Sequence, residues 1–207
     1  SVGAIYTVGP YLFPRLVSRL QQLAPEMPLY IDESYTADMR VKLSSGAIDA
    51  IFFALPFTEP DVVTRALFDE PFLVLLPANH PLAAEQAIAP AELAQHKVLL
   101  MGEAHCFRDQ VLAAGPVLQQ SIVEHNARDH AVVEGSSLET LKHMVASGMG
   151  ITVLPESAAS VARYGDTALL VRPFTSPVPA RTIALAWRVS YPRHQAIDIL
   201  TDALRDQ

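Results

Sequence analysis

Cysteine is nearly absent: Cys106 is the only one in 207 residues. An internal disulfide is therefore impossible, which excludes a secreted disulfide scaffold and fits a reducing, cytoplasmic setting. Long apolar runs are missing too. Ala50 to Phe57 and Phe72 to Pro77 fall far short of the roughly 18 residues a membrane helix needs, so no membrane partner is expected. Charge is sparse, at 18% of residues, while hydrophobic residues make up 50%. That is the balance of a chain that buries a sizeable core, not of a disordered or coiled-coil one. The charge leans acidic, 22 Asp and Glu against 15 Lys and Arg, net −7. Non-specific DNA affinity comes from basic side chains that release counterions, so this chain alone is not expected to grip DNA. Ser1 brings no initiator Met, no basic segment and no apolar leader, and the chain reads as a piece of something longer.

Several catalytic signatures are also missing. There is no G-x-S-x-G elbow, no phosphate-cradling G-x-x-x-x-G-K-[ST] and no G-x-G-x-x-G after a strand, so hydrolase, P-loop and dinucleotide readings lose their support. The histidines show neither H-E-x-x-H nor paired Cys ligands, and no metal or cofactor is expected.

What is present is alternation. Val2 to Tyr6 reads as a strand, Tyr11 to Leu23 as a helix, Pro28 to Asp32 as a strand, Thr36 to Leu43 as a helix and Ala47 to Ala54 as a buried strand. Val62 to Leu67 and Pro71 to Leu76 read as two further strands. Lys97 to Met101, Ser121 to His125, Ile151 to Leu154, Ala168 to Arg172 and Thr182 to Trp187 follow as strands. Phe107 to Ala114, Ser137 to Ser147 and a stretch opened by Pro192 read as helices. Strands joined by crossover helices give an α/β class with two Rossmann-like lobes and a cleft between them. Lobe I is expected over 1–75 and 178–207, lobe II over 76–177.

The segment G-E-A-H-C-F-R-D-Q, Gly102 to Gln110, puts Cys106 where a strand turns into a helix, the edge of an α/β sheet at which ligands usually bind. Unpaired N–H groups and the positive dipole end favour thiolate there, with His105 and Arg108 as further partners. Thiolate is the form that attacks peroxide and becomes sulfenic acid. A free Cys is otherwise most often a small buried hydrophobe, and Arg108 with Asp109 can form a solvated ion pair. Thr7 and Thr36 place hydroxyls after strands; each can cap a helix or line a small polar site.

The order T-V-G-P-Y-L, F-D-E-P, H-C-F-R-D-Q, S-L-E-T-L, M-V-A-S-G and G-I-T-V-L-P from Thr7 to Pro155 resembles the regulatory domain of LysR-type transcription regulators, in particular its peroxide-sensing branch. The resemblance covers nearly the whole chain. It implies a fold similar to type II periplasmic solute-binding proteins, homodimers through this domain and tetramers in the full protein. It also implies an upstream winged helix-turn-helix through which alone DNA is bound. Cys106 falls on the peroxidatic thiol. Thr7, Thr36 and His105 would line the peroxide pocket, with Arg108, Asp109 and Arg188 in the polar network around it. The branch carries a resolving Cys nine residues after the first; here that position is Gly115, in A-A-G-P. Either Gly115 is native, or it replaces a Cys. If it is native, oxidation must be read through sulfenic acid, a mixed disulfide with a small thiol or an intersubunit bond, whereas a replacement would hold the domain reduced or sulfenylated.

The leading expectation is thus a redox-sensing regulatory domain controlling oxidative-stress genes, not an enzyme. The alternatives are a LysR-type domain that binds a small organic effector, with Cys106 structural, and a one-Cys peroxidase. A transport-type solute-binding protein has less in its favour.

Overall fold

The computed structural model describes residues 1–113, 115–116, 119–120, 122, 134–159 and 169–204. In chain order its first elements are β1 (Val2–Ile5), α1 (Gly9–Leu23), β2 (Ile31–Ser34), α2 (Thr36–Ser45), β3 (Ala50–Ala54) and β4 (Val62–Pro77). Then come β5 (Val98–Met101), α3 (Cys106–Ala113), β6 (Glu134–Gly135), α4 (Leu138–Ala146), β7 (Ile151–Pro155), β8 (Leu169–Pro173), β9 (Ala180–Arg188) and α5 (His194–Asp202). The chain divides into two units: Ser1–Asp69 with Thr182–Gln207, and Glu70–Arg181.

In the first unit the strand order is β2-β1-β3-β9. β1 pairs in parallel with β2 (Ile5↔Ser34) and with β3 (Val2↔Ala50), and β9 closes antiparallel on β3 (Ala50↔Trp187). All five residues of β3 are buried, as an inner strand requires. α1 buries Leu12, Phe13, Leu16 and Leu20, the stripe its sequence spacing predicts. α2 stops at Gly46, whose φ of +81° is the left-handed cap that favours glycine.

In the second unit β4, β7, β5 and β6 are neighbours in that order, and β8 lies on the other side of β4. β5 is parallel to β6 and β7, whereas β4 is antiparallel to β7 and β8. Ser137 caps α4 by accepting the Thr140 N–H at 3.0 Å. α4 is followed by Gly150 at φ +156°, where an added Cβ would stand 2.5 Å from the Lys97 carbonyl.

Some expectations need correction. Val62–Leu67 and Pro71–Leu76 are one continuous strand, because Phe68–Glu70 between them continues it beside β9, with Asp69 tied to Thr182 and Glu70 to Arg181. The units change at 69/70 and 181/182, inside β4 and β9, where the sequence reading expects lobe boundaries at 75/76 and 177/178. The strand expected at Pro28 starts only at Ile31. Of the strand expected over residues 121–125 only Ile122 is described, and it is helical and buried; the rest lies outside the described residues.

Candidate functional site

Cys106 is the first residue of α3, reached from β5 through a tight turn. The Gly102 N–H donates to the Gly135 carbonyl at 3.1 Å, His105 N–H to Gly102 at 3.0 Å and Arg108 N–H to His105 at 3.1 Å. Phe107 and Val111 are buried and fix the helix by its inner face. That orientation lines up Cys106 and Gln110, one turn apart. Gln110 Nε2 donates to the half-buried Cys106 Sγ at 3.3 Å. Gln110 Oε1 is buried and has no hydrogen-bond partner among the described residues. One amide can thus donate to a thiolate or, turned over, accept from a thiol.

His105 is buried, and burial pushes its imidazole below the ordinary value while a hydrogen bond to the Ser136 backbone works the other way. The net direction is down, so the ring is neutral near neutral pH and partners its surroundings by hydrogen bonding. Arg108 is not available as a free cation either, because its guanidinium pairs with the Glu134 carboxylate on β6. Asp109 sits exposed in the first turn of α3. An added Cβ at Gly115 meets nothing within 4 Å.

In the first unit the structure brings Thr7 and Thr36 to the same sheet edge. Thr7, 2% exposed, lies in the turn after β1. Thr36 opens α2 just after β2, and these strands end side by side at Ile5↔Ser34. The rings of Tyr6 and Tyr35, each one residue earlier, meet edge-on at 5.0 Å and tie the two turns together. Thr36 Oγ1 is buried and has no hydrogen-bond partner among the described residues, which leaves it able to bind water or a small polar ligand.

Arg188 does not join them. Its Nη1 donates to the Leu43 and Ile48 carbonyls at 2.6 Å each, and Nη2 lies 3.9 Å from Asp49. Those partners lie beyond the amino end of β3, at the opposite sheet edge from Thr7 and Thr36. Arg188 closes the end of α2 because a cation suits the carbonyls left open there.

Two features escaped the sequence reading. Gln110 could have been found from its i+4 spacing to Cys106. The other is a buried ion pair, Arg181 with Glu70, at 2.7 Å. Its only local signal is a charge inside the apolar strand A-R-T-I-A-L-A-W.

Comparison with known proteins agrees with this architecture. The family model for the LysR substrate binding domain matches residues 1–207. The DNA-binding transcriptional dual regulator OxyR of Escherichia coli K12 is 35% identical over 204 residues, which are 99% of this chain and 64% of that protein. The chain therefore spans a little under two thirds of that relative. Among solved structures, the reduced form of the OxyR regulatory domain from Pseudomonas aeruginosa is 53% identical with a TM-score of 0.86, covering 99% of this chain and 93% of that one. An H2O2-bound cysteine-to-serine mutant of OxyR from Corynebacterium glutamicum is 29% identical with a TM-score of 0.86, covering 99% of this chain and 62% of that one. The fold is the mixed α/β, type II periplasmic-binding-like fold of these domains. This chain belongs to the LysR substrate-binding domain family and is homologous to the regulatory domains of OxyR hydrogen-peroxide-inducible gene activators.

Proposed function

We propose that this chain is the peroxide-sensing regulatory domain of a LysR-type transcription regulator, with Cys106 as the reacting sulfur. The observation that carries the reading is the partly buried Cys106 at the start of α3, with an amide donor aimed at its Sγ from Gln110. The thiolate attacks one oxygen of H2O2. The S–O bond forms as the O–O bond breaks, sulfur gives up two electrons, and the departing hydroxide takes a proton to become water. The neutral His105 is the proposed hydrogen-bond partner of peroxide beside Cys106, with Arg108 and Asp109 as the surrounding polar groups, and Thr7 and Thr36 are proposed as a polar site of the first unit.

The output is conformational and not catalytic: sulfenylation replaces a small group by a larger polar one and changes how copies of the chain pack. In the whole protein this domain would form homodimers and tetramers in the cytoplasm. DNA would be bound only through an upstream winged helix-turn-helix, and oxidative-stress genes would be the target. Among the described residues no helix is long and apolar enough to cross a membrane. With Gly115 at the resolving position, the sulfenic acid persists until a small thiol or a second subunit meets it.

Stoichiometric peroxide followed by dimedone should give one adduct, on Cys106, by mass spectrometry; an unmodified thiol would sink the proposal. The buried, unpartnered hydroxyl of Thr36 also favours a second reading, a small organic effector with Cys106 structural. Calorimetry with carboxylate metabolites on wild type and Cys106→Ser separates the two, since tight binding untouched by the substitution supports the effector.

A further inference from the structure

Four residues mark where the chain passes between the units: Asp69 and Glu70 on β4, Arg181 and Thr182 on β9. Successive pairs are tied by side chains. In the first unit Thr182 Oγ1 donates to Asp69 Oδ1 at 2.6 Å on an exposed face. In the second, Arg181 Nε donates to Glu70 Oε2 at 2.7 Å on a buried one. Alternation of faces along a strand accounts for the difference.

A buried ion pair persists only when its remaining lone pairs and protons are also satisfied. Glu70 Oε1 accepts the Ser157 N–H at 3.0 Å, so both carboxylate oxygens are engaged. The Arg181 guanidinium carbon stands 5.2 Å from the centre of the Phe107 ring, within cation–π range. Phe72, two residues past Glu70 on β4, meets the same ring at 5.4 Å and 81°. Phe107 is 2% exposed and follows Cys106 directly in α3. One ring in the first turn of α3 therefore touches both strands that connect the units.

Resting on the peroxide reading above, we propose that Phe107, Arg181 and Glu70 form a relay that carries the oxidation state of Cys106 into β4 and β9. An oxygen added to Sγ must be housed in the first turn of α3. Phe107 shares that turn and shifts with it. The shift moves the ring off the Arg181 cation and loosens the cross-strand pair with Glu70, because a cation–π contact fades once the cation leaves the ring face. No contiguous wire beyond these three side chains is needed.

Hydrogen exchange read by mass spectrometry on the 207-residue chain tests the relay, before and after one equivalent of peroxide, in native protein and in Phe107→Leu. Phe107→Leu keeps the ion pair and most of the apolar volume but removes the ring face. In native protein, the amides of Asp69, Glu70, Phe72, Leu73 and 180–183 should exchange at least about threefold faster after oxidation. In Phe107→Leu they should not respond, although dimedone labels Cys106 equally. Phe107→Met, a flexible chain of similar volume, serves as the second variant if leucine unsettles the fold. Labelled Cys106 without a change at those amides in native protein, or an equal change in native protein and in Phe107→Leu, overturns the relay alone. Absence of the dimedone adduct overturns the peroxide reading, and the relay with it.

Discussion

Gln110 Nε2 donates to Cys106 Sγ across one turn of α3 at 3.3 Å, and the oxygen of the same amide is buried without a partner. The donor gains more from a thiolate than from a thiol, because hydrogen bonds to charged groups are the stronger ones. It therefore acts on the reactive form of the sulfur.

Gln110→Ala should slow sulfenylation of Cys106 about tenfold, the rate equivalent of losing a charge-assisted hydrogen bond of roughly 1.5 kcal/mol. Stopped-flow consumption of peroxide at fixed pH measures this. An unchanged rate would mean that Gln110 only fills space.

Thr36→Val should separate stability from function. Removing a buried hydroxyl that has no partner costs nothing in the folded state and should raise stability by up to about 1 kcal/mol in urea titration. If that hydroxyl holds peroxide, the same variant should react more slowly. A variant less stable and equally reactive would remove Thr36 from the site.

Arg188→Ala should do the reverse. Two carbonyl bonds and a contact with Asp49 disappear, so a loss of about 2 kcal/mol is expected. The rate of Cys106 oxidation should stay within about twofold, since the partners lie at the opposite sheet edge. Urea titration and the peroxide assay on one preparation decide both points.

Gly115→Cys should leave the reduced fold nearly unchanged, within about 0.5 kcal/mol, because an added Cβ meets nothing within 4 Å. α3 runs from Cys106 to Ala113, and at a helical rise of 1.5 Å per residue those seven steps span about 10 Å, beyond the roughly 7 Å limit between disulfide-linked Cα atoms. We expect a Cys106–115 bond to close with loss of helix in α3. Peroxide should remove two hydrogens from the mass of this variant and lower its helical circular dichroism. Mass loss without helix loss would contradict the geometry.

Acid should weaken the domain through His80 and His105. Burial lowers both imidazoles, and His96 lowers His80 further. His80 Nδ1 also accepts the Leu82 N–H at 3.2 Å, a bond only the unprotonated nitrogen can make. The unfolded chain takes up protons as pH falls through the ordinary value of 6.5, before the folded chain does. Their stabilisation is complete above that value and is lost as pH drops through the lower folded values. Melting temperature should fall as pH drops below about 6.5, and His80→Asn should flatten part of the slope. A slope unaffected by the substitution would exclude His80.

The first unit is legible in the sequence because its signals are local. The Leu12, Leu16 and Leu20 stripe, the apolar run of β3 and the Gly46 stop each sit within one element. The turn holding Cys106 is legible for the same reason. What local pattern hides is pairing at long range. Asp69-Glu70-Pro71 reads as punctuation, but its two charges are matched more than a hundred residues later by Thr182 and Arg181. Arg188 looks like a candidate for the site because its carbonyl partners, at Leu43 and Ile48, leave no mark near A-W-R. The burial that makes His105 neutral also comes from tertiary packing and not from its neighbours in sequence.

The unbroken run of β4 from Val62 to Pro77 has a genetic corollary. A crossover between related genes at codons 69–70 would splice a strand from two parents and mismatch its cross-strand partners on β9. Exchange of halves between homologues should therefore be tolerated only when both connecting strands are inherited together, which makes this chain a single unit of shuffling despite its two bodies.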